Sequence, residues 1–180
     1  MKKHIIAVLI VIVLICSVGF VMADNQEASA NPKDIQTISK NGITIKFPSD
    51  WGIAKTTSNH TLIAIAKLSS IDSSGVAEVN INIEKTSIEG SFEKFVNESY
   101  AKMEKLGDYN LTSSGAVAIG NLQGLEYNYV SDINGTQREH KAIWLEKNNE
   151  AYVILYSAPI DQFNGNLNIF DFVVRNFQIN

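Results

Sequence analysis

Cysteine is almost missing from this 180-residue chain, because the only one, Cys16, lies in an apolar segment near the N-terminus. No cysteine follows it, so the rest of the chain has no internal disulfide and no cysteine-based metal site. The stability of that part must come from an ordinary hydrophobic core. A lipoprotein signal needs a small residue directly before the cysteine, where this chain has Ile15, so we do not expect Cys16 to be lipidated.

The motifs of common catalytic sites are missing as well. Outside the N-terminal segment, histidine occurs only at His60 and His140, without His-x-His or His-Glu-x-x-His spacing. The Ser-Ser-Gly sequences at 73–75 and 113–115 lack the context of a nucleophile elbow and indicate turns. The glycines at 115–124 precede no predicted helix, which argues against a nucleotide-binding loop. The residues therefore predict neither an enzyme nor a bound cofactor.

Basic residues are outnumbered by acidic ones. The chain has 15 Lys and Arg against 19 Asp and Glu, a formal net charge of −4. Removing Lys2 and Lys3 with the N-terminal segment leaves 13 basic residues and a charge of about −6. This balance disfavours nucleic-acid binding, and the dispersed acidic residues form no tract typical of an interaction tail.

The N-terminal 23 residues have the pattern of an export signal or a membrane anchor. Lys2 and Lys3 precede an apolar run from Ile5 to Ala23. Its length of about 19 residues lies between the core of a signal peptide and a membrane-spanning helix. Cleavage before Asp24, or at a second candidate site at 28–30, and retention as an anchor both stay open. In each case the positive-inside rule places the chain from Asp24 onward outside the cytoplasm.

Residues 24–39 are predicted to form a polar tether, and residues 40–180 to form one folded domain. The hydrophobic pattern of the domain predicts an α+β fold, an antiparallel sheet of about six to seven strands packed with two main helices. The fully apolar run at 151–156 predicts a central strand. Helices are expected at 92–106, after the N-cap Ser91, and at 163–177. Strands are expected at 43–47, 62–68, 78–84, 111–119, 124–130, 138–146 and 151–157.

Two groups of side chains are candidates for binding a metal ion. Glu78, Asn80, Asn82 and Glu84 alternate along one strand, and their oxygens are of the type that calcium prefers. The competing interpretation is a solvated strand face, since cation sites usually wrap around a loop. His60 and His140 would need a carboxylate such as Glu139 or Asp132 beside them, and their spacing does not require this.

Six aromatic residues could line a ligand groove, or they could pack in the core with their hydroxyls at its edge, which is the usual arrangement. They are Trp51, Trp144, Tyr127, Tyr129, Tyr152 and Tyr156.

The segment at 42–51, Gly-Ile-Thr-Ile-Lys-Phe-Pro-Ser-Asp-Trp, is a strand that ends in an aromatic-Pro-x-x-Trp turn. With the order of elements and the C-terminal Phe177-Gln178-Ile179, it resembles the PsbP-like family, and the resemblance covers about residues 40–180. It extends to bacterial periplasmic DcrB-like proteins and to a nuclear-import factor that binds the GTPase Ran. The resemblance implies an α/β/α sandwich and a non-enzymatic binding or assembly module, and no residue of known PsbP function matches a position here.

On this basis we expect an extracytoplasmic module that contacts an envelope protein partner. The contact surface is predicted on the sheet face that two helices leave uncovered, at Asn80, Asn82, Glu126 and Asn128. The alternative is a protein that binds a small ligand or a divalent cation such as calcium, on the same face or in a groove between the sheet and the first helix.

Overall fold

The computed structural model describes residues 34–56, 58–105, 107, 109–133 and 135–180. The predicted export signal or anchor at 1–23 and residues 24–33 of the predicted tether lie outside these ranges. Within the described ranges, no helix combines the length and the apolar character that crossing a membrane requires.

Besides one short 3₁₀ helix at Leu68–Ser70, the described part of the chain contains ten strands and two α-helices. In sequence order they are β1 (Ile35–Lys40), β2 (Ile43–Pro48), β3 (Trp51–Ile53), β4 (Thr61–Lys67), β5 (Asn80–Ser87), α1 (Phe92–Glu104), β6 (Tyr109–Ile119), β7 (Leu122–Ile133), β8 (Thr136–Lys147), β9 (Glu150–Pro159), α2 (Ile160–Arg175) and β10 (Gln178–Ile179).

Seven of these strands form one antiparallel sheet in the order β3-β4-β5-β9-β8-β7-β6. The predicted α+β class with a sheet of about seven strands is therefore confirmed. The central position of β9 is confirmed too, since it is the fourth strand and eight of its ten residues are buried. The run from β6 to β9 is a meander in which each strand pairs with the next over most of its length.

A second sheet of three strands, in the order β1-β2-β10, lies beside the large one. β2 was predicted as a strand of the main sheet but belongs to this second sheet, and the short β3 takes the edge of the main sheet instead. Residues 35–39 were predicted to be tether, which is wrong, because β1 pairs with β2 along its full length. Its side chains are mostly exposed, so β1 shows no hydrophobic alternation. Asn41 and Gly42, at φ 53° and 78°, form the tight turn between the two strands.

The larger core lies between α2, the second sheet and one face of the main sheet, which we call the α2 face. Phe163, Phe170 and Val173 of α2 are buried against Ile81 and Ile154 of the central strands. Fully burying a side chain of this size contributes about 1.5–3 kcal/mol. This layer therefore supplies most of the hydrophobic stabilisation that a domain without disulfides needs.

The opposite face of the main sheet, the α1 face, carries α1. Val96 and Tyr100 of the helix are buried against Tyr127, Trp144 and Val153. The Ser91 hydroxyl accepts a hydrogen bond from the backbone N–H of Lys94, which confirms the predicted N-cap. Both predicted helices are confirmed, with α2 beginning at Ile160, directly after Pro159.

Candidate functional site

The four residues predicted to form one contact surface lie on opposite faces of the main sheet. Asn80 and Asn82 of β5 are on the α1 face, where their exposed fractions are only 3% and 7%. The register of β7, β8, β9 and β5 places Glu126 and Asn128 on the α2 face, where both are half-buried. The prediction of one shared, exposed face is therefore wrong. Alternation groups residues two apart within a strand, but it does not show which face of one strand continues onto the next.

Asn80 begins a buried polar row that crosses four strands of the α1 face. The register aligns it with Ser157 of β9, His140 of β8 and Tyr129 of β7. All four residues are buried, and His140 has no exposed surface. The rings of Tyr129 and His140 stack with their centroids 4.5 Å apart. The row is thus part of the domain interior and offers no surface to a large partner.

Arg138 places a positive charge against this row. Its Nε and one terminal nitrogen donate hydrogen bonds to Ser157 Oγ at 3.2 and 3.1 Å, and the terminal nitrogen also donates to the carbonyl of Glu78. Burial lowers the pKa of Arg138, although nearby Glu78 favours its charged form. The hydroxyl and carbonyl oxygens that accept these hydrogen bonds explain how a guanidinium is held with 9% of the residue exposed.

Ser131 and His140 form the only arrangement in this region that resembles a nucleophile and its base, as far as the described residues show. Ser131 Oγ lies 2.8 Å from His140 Nε2. Burial, followed by the positive charge of Arg138, lowers the pKa of His140 from 6.5 to about 3. An imidazole with that pKa is a weak base at neutral pH. Its Nδ1 has no hydrogen-bond partner among the described residues, so nothing there orients the ring as the carboxylate of a catalytic triad does.

The carboxylates of the predicted calcium row do not converge with its amides. Glu78 precedes β5, is exposed, and accepts a hydrogen bond through Oε2 from Gln162 of α2. Glu84 is buried on the α1 face and accepts from Thr61 Oγ1 at 3.3 Å, and burial raises its pKa. Across the described ranges, no three His, Cys, Asp or Glu side chains are grouped so that they could hold a metal ion. The row of four ligands is therefore not formed, and neither is a cluster around His60 and His140.

The amide of Asn82 is incompletely paired. Its Nδ2 donates to Asn80 Oδ1 over a long 3.4 Å, and Asn80 in turn donates to the carbonyl of Ala77 at 3.4 Å. The carbonyl oxygen of the Asn82 side chain has no hydrogen-bond partner in the described part of the chain. No protein group in these ranges therefore offsets the cost of burying this oxygen, which is about 1–3 kcal/mol for an oxygen left without any hydrogen bond.

The six aromatic residues considered for a ligand groove pack in the core. Their exposed fractions do not exceed 8%, and they are divided between the two faces of the main sheet. On the α1 face, Tyr100 stacks on Tyr127 with a centroid distance of 3.9 Å and accepts a hydrogen bond from Trp144 Nε1 at 2.9 Å. Core packing, the usual arrangement for such residues, is therefore confirmed.

A surface depression of about 450 Å³ runs along α1. It is lined by Ser91, Glu93, Lys94, Asn97, Glu98 and Ala101, all of which are exposed. The depression thus lies on the solvent side of the helix and not in the predicted position between the helix and the sheet.

On the α2 face, Glu126 and Asn128 join Lys141 of β8 in a half-buried polar cluster, which we call the Glu126 cluster. Lys141 Nζ lies 3.2 Å from Glu126 Oε2, and Asn128 Nδ2 donates to Glu126 Oε1 at 2.9 Å. The Lys141 ammonium also lies 5.9 Å from the ring centroid of Phe170. Side-chain exposure is 28% for Glu126 and 19% for Lys141. This cluster can present a carboxylate, an amide and an ammonium to a partner from fixed positions.

Sequence reasoning missed Arg138, Ser157 and Lys141, the residues that organise both polar groups. Ser157 is a single polar residue in an apolar strand, whereas Arg138 and Lys141 lie within the polar run at 136–141, so no local pattern distinguishes any of the three. The informative signal is the pairing of β8 with β7 and β9, which only the assembled sheet provides.

Comparison with solved structures identifies the fold. The chain superposes on cyanobacterial PsbP (CyanoP) from Synechocystis sp. PCC 6803 with a TM-score of 0.60 and 14% identity, over 87% of this chain and 98% of that one. LpqN of Mycobacterium tuberculosis, a protein involved in cell envelope biogenesis, gives a TM-score of 0.58 and 14% identity over 82% and 92%. A Pseudomonas aeruginosa protein of unknown function gives a TM-score of 0.52 and 10% identity, over 79% of this chain and 94% of that protein.

No protein-family model matches the chain, and no curated protein matches it in sequence. The similarity therefore lies in the backbone arrangement, which these structures share at 10–14% identity. The aromatic-Pro-x-x-Trp turn and the order of elements had indicated the same arrangement. The chain has the PsbP-like fold.

Proposed function

We propose that this protein is a non-catalytic binding or assembly module that acts outside the cytoplasm and contacts an envelope protein. The observation that carries the proposal is the PsbP-like fold, matched over 98% of CyanoP, in a chain whose N-terminus has the pattern of an export signal or anchor. LpqN, which has the same fold, is involved in cell envelope biogenesis, and this supports an extracytoplasmic role.

The chemistry of the interior supports a non-catalytic role. In the pair of Ser131 and His140, the His140 imidazole would be the base. Its pKa is about 3, and its Nδ1 atom has no hydrogen-bond partner in the described ranges. General-base catalysis works best when the pKa of the base is near the working pH. At neutral pH this imidazole accepts a proton too weakly to activate the serine, so the pair acts as a buried hydrogen bond of the fold.

The Glu126 cluster is the contact surface that we propose for the partner. Asn80 and Asn82 are buried, which leaves Glu126 and Asn128 as the accessible members of the originally predicted set. Lys141 holds Glu126 in place, so the carboxylate and the amide are pre-oriented and little side-chain entropy is lost on binding. A partner would recognise them with N–H donors or a basic side chain.

The test is cross-linking of the tagged, full-length protein in its native membrane, with mass spectrometry of the captured proteins and of the protein's own N-terminus. The double variant Glu126→Gln and Asn128→Ala should reduce capture of the partner about tenfold, which corresponds to a combined loss of about 1.4 kcal/mol of binding free energy from the carboxylate charge and the amide. The N-terminal peptide shows whether the leader is cleaved or retained.

The matched control is the double variant Lys94→Ala and Glu98→Ala, which removes an exposed ion pair on the solvent side of α1. It should capture the partner as the unmodified protein does. If both double variants capture it equally well, the Glu126 cluster is not the contact surface. If the unmodified protein captures no envelope protein and is recovered alone, the assembly role is wrong, and screening for small ligands and calcium becomes the next step.

A further inference from the structure

β6 is an unusually long and unprotected edge of the main sheet. It spans eleven residues at the end of the strand order, and eight of them are exposed. From Tyr109 to Ile119 the strand contains no charged residue and no proline. Natural proteins usually protect an edge with charge, proline or a very short strand, because the free N–H and C=O groups of an edge can pair with another strand.

The other edges in the described part of the chain are protected in these ways. β3, at the opposite edge of the main sheet, has three residues. In the second sheet, β10 has two residues, and β1 ends in Lys40. β6 is longer than each of these edge strands and, unlike β1, carries no charge, which indicates that its backbone groups are kept available for pairing.

The register within β6 defines where a symmetric partner strand would fit. An irregularity between Leu111 and Ser113 interrupts the pairing with β7, and regular pairing runs from Ser113 to Ile119. Ala116 is the middle residue of this regular run. A two-fold axis through Ala116, perpendicular to the sheet, would place Ser114 opposite Ala118 of a second copy and Gly115 opposite Val117. Each such pair lies on one face of the joined sheet, as antiparallel pairing requires.

The lack of charge in β6 and the place where the N-terminal residues enter the domain both favour a second copy as the occupant of this edge. The chain has a net charge of −4, so two copies repel each other where charged surfaces meet, whereas two β6 strands bring no charges together. The chain's own N-terminal residues enter the domain near the other edge, since the Asp34 carbonyl accepts from Ser49 N and Gln36 Nε2 donates to the carbonyl of Trp51 in β3. Six strand spacings of about 4.8 Å separate β3 from β6.

We propose that β6 pairs antiparallel with β6 of a second copy, about a two-fold axis at Ala116. The main sheets of the two copies then join into one continuous sheet. The contact is a strand edge and buries less surface than the roughly 1,200–2,000 Å² of a stable interface, so the dimer is weak and depends on concentration. This edge lies next to the Glu126 cluster, because Asn128 Nδ2 donates a hydrogen bond to Ser113 Oγ of β6 at 3.0 Å. Its test measures contact between two copies and does not depend on the envelope partner.

The experiment uses the full-length chain in membranes, with Cys16→Ser as the background so that every disulfide comes from an introduced cysteine. Ala116→Cys places two cysteines directly opposite each other across the axis, at a Cα separation of about 4.5–5.5 Å that allows a disulfide. Ala118→Cys is the control, because Ala118 lies in the same strand and on the same face as Ala116 and is also exposed. In the proposed register, the Cα atoms of residue 118 in the two copies are about 14 Å apart, which is too far for a disulfide.

Under mild oxidation, Ala116→Cys should give a covalent dimer and Ala118→Cys should remain monomeric. Equal cross-linking of the two variants, or none at Ala116→Cys, would overturn the proposal. Cross-linking of Ala116→Cys to a different protein would show that an extended segment of another partner occupies this edge, and would overturn it as well.

A second measurement guards against effects of oxidation. Sedimentation of the detergent-solubilised Cys16→Ser chain over a range of concentrations gives the dimer dissociation constant. Ala116→Lys should raise this constant at least about fivefold, because the introduced lysines face each other directly. Ala118→Lys adds the same charge opposite Ser114 and should have a smaller effect. A dissociation constant that both lysine variants change equally would contradict the register.

Discussion

His140 should make the stability of this protein depend on pH in a way that one substitution removes. The residue has no exposed surface, its Nε2 bonds to Ser131 Oγ, and its ring stacks on Tyr129. Burial and the charge of Arg138 lower the pKa of His140 from 6.5 to about 3, so the folded protein keeps this side chain neutral well below pH 6. The unfolded chain exposes the imidazole to water, where its ordinary pKa applies.

The magnitude follows from proton linkage. Between about pH 6.5 and pH 3 the unfolded state binds a proton at His140 that the folded state does not, so lowering the pH favours unfolding. The stabilisation from the neutral imidazole is complete above pH 6.5 and is lost as the pH falls toward 3. Each pH unit in this window corresponds to 1.36 kcal/mol, and between pH 7 and pH 5 the free energy of unfolding should decrease by about 2 kcal/mol.

The assay is urea unfolding at pH 7, 6 and 5, followed by the fluorescence of the two buried tryptophans. His140→Gln should lose about 2 kcal/mol less than the unmodified protein between pH 7 and pH 5, whatever its stability at pH 7. His60→Gln is the matched control, because it removes an imidazole from an exposed turn instead of from the interior. Parallel curves for the unmodified protein and His140→Gln would refute the reasoning.

Two further predictions concern packing. Gly124→Ala should lower the free energy of unfolding by roughly 2–3 kcal/mol, because a Cβ there overlaps the carbonyl oxygen of Trp144, whereas Gly115→Ala, with open space around it, should change it by less than about 0.5 kcal/mol. Equal effects of the two alanines in urea unfolding would contradict this account of β7. Tyr100→Phe should cost about 1–3 kcal/mol by leaving Trp144 Nε1 buried without an acceptor, and thermal unfolding that matches the unmodified protein would show that this hydrogen bond contributes little.

Local patterns were sufficient for most of the secondary structure. The serine cap and helical spacing located α1, and the fully apolar run at 151–156 located the central strand β9. β1, β3 and β10 were missed for a physical reason, since β1 is almost wholly exposed and β3 and β10 have only three and two residues. None of them can show the alternation on which the recognition of a strand depends.

The candidate site shows a different kind of failure. Asn80 and Asn82 were correctly placed together, as were Glu126 and Asn128, because residues two apart in a strand share a face. Joining the two pairs into one surface required the relative register of β5, β9, β8 and β7, and the structure puts them on opposite faces. The buried contacts of Arg138 and His140 could not be predicted either, because they also depend on the relative register of neighbouring strands.

The sequence by itself determined the class of fold, the order of its two helices and of seven of its ten strands, the reliance on a hydrophobic core without disulfides and the pattern of an exported chain. These depend on composition and on periodicity within single segments. Only the tertiary structure decided which polar side chains are buried, which are exposed, and that β6 is left as a long uncharged edge. Those properties depend on strand order and register, which arise from contacts between residues far apart in the chain.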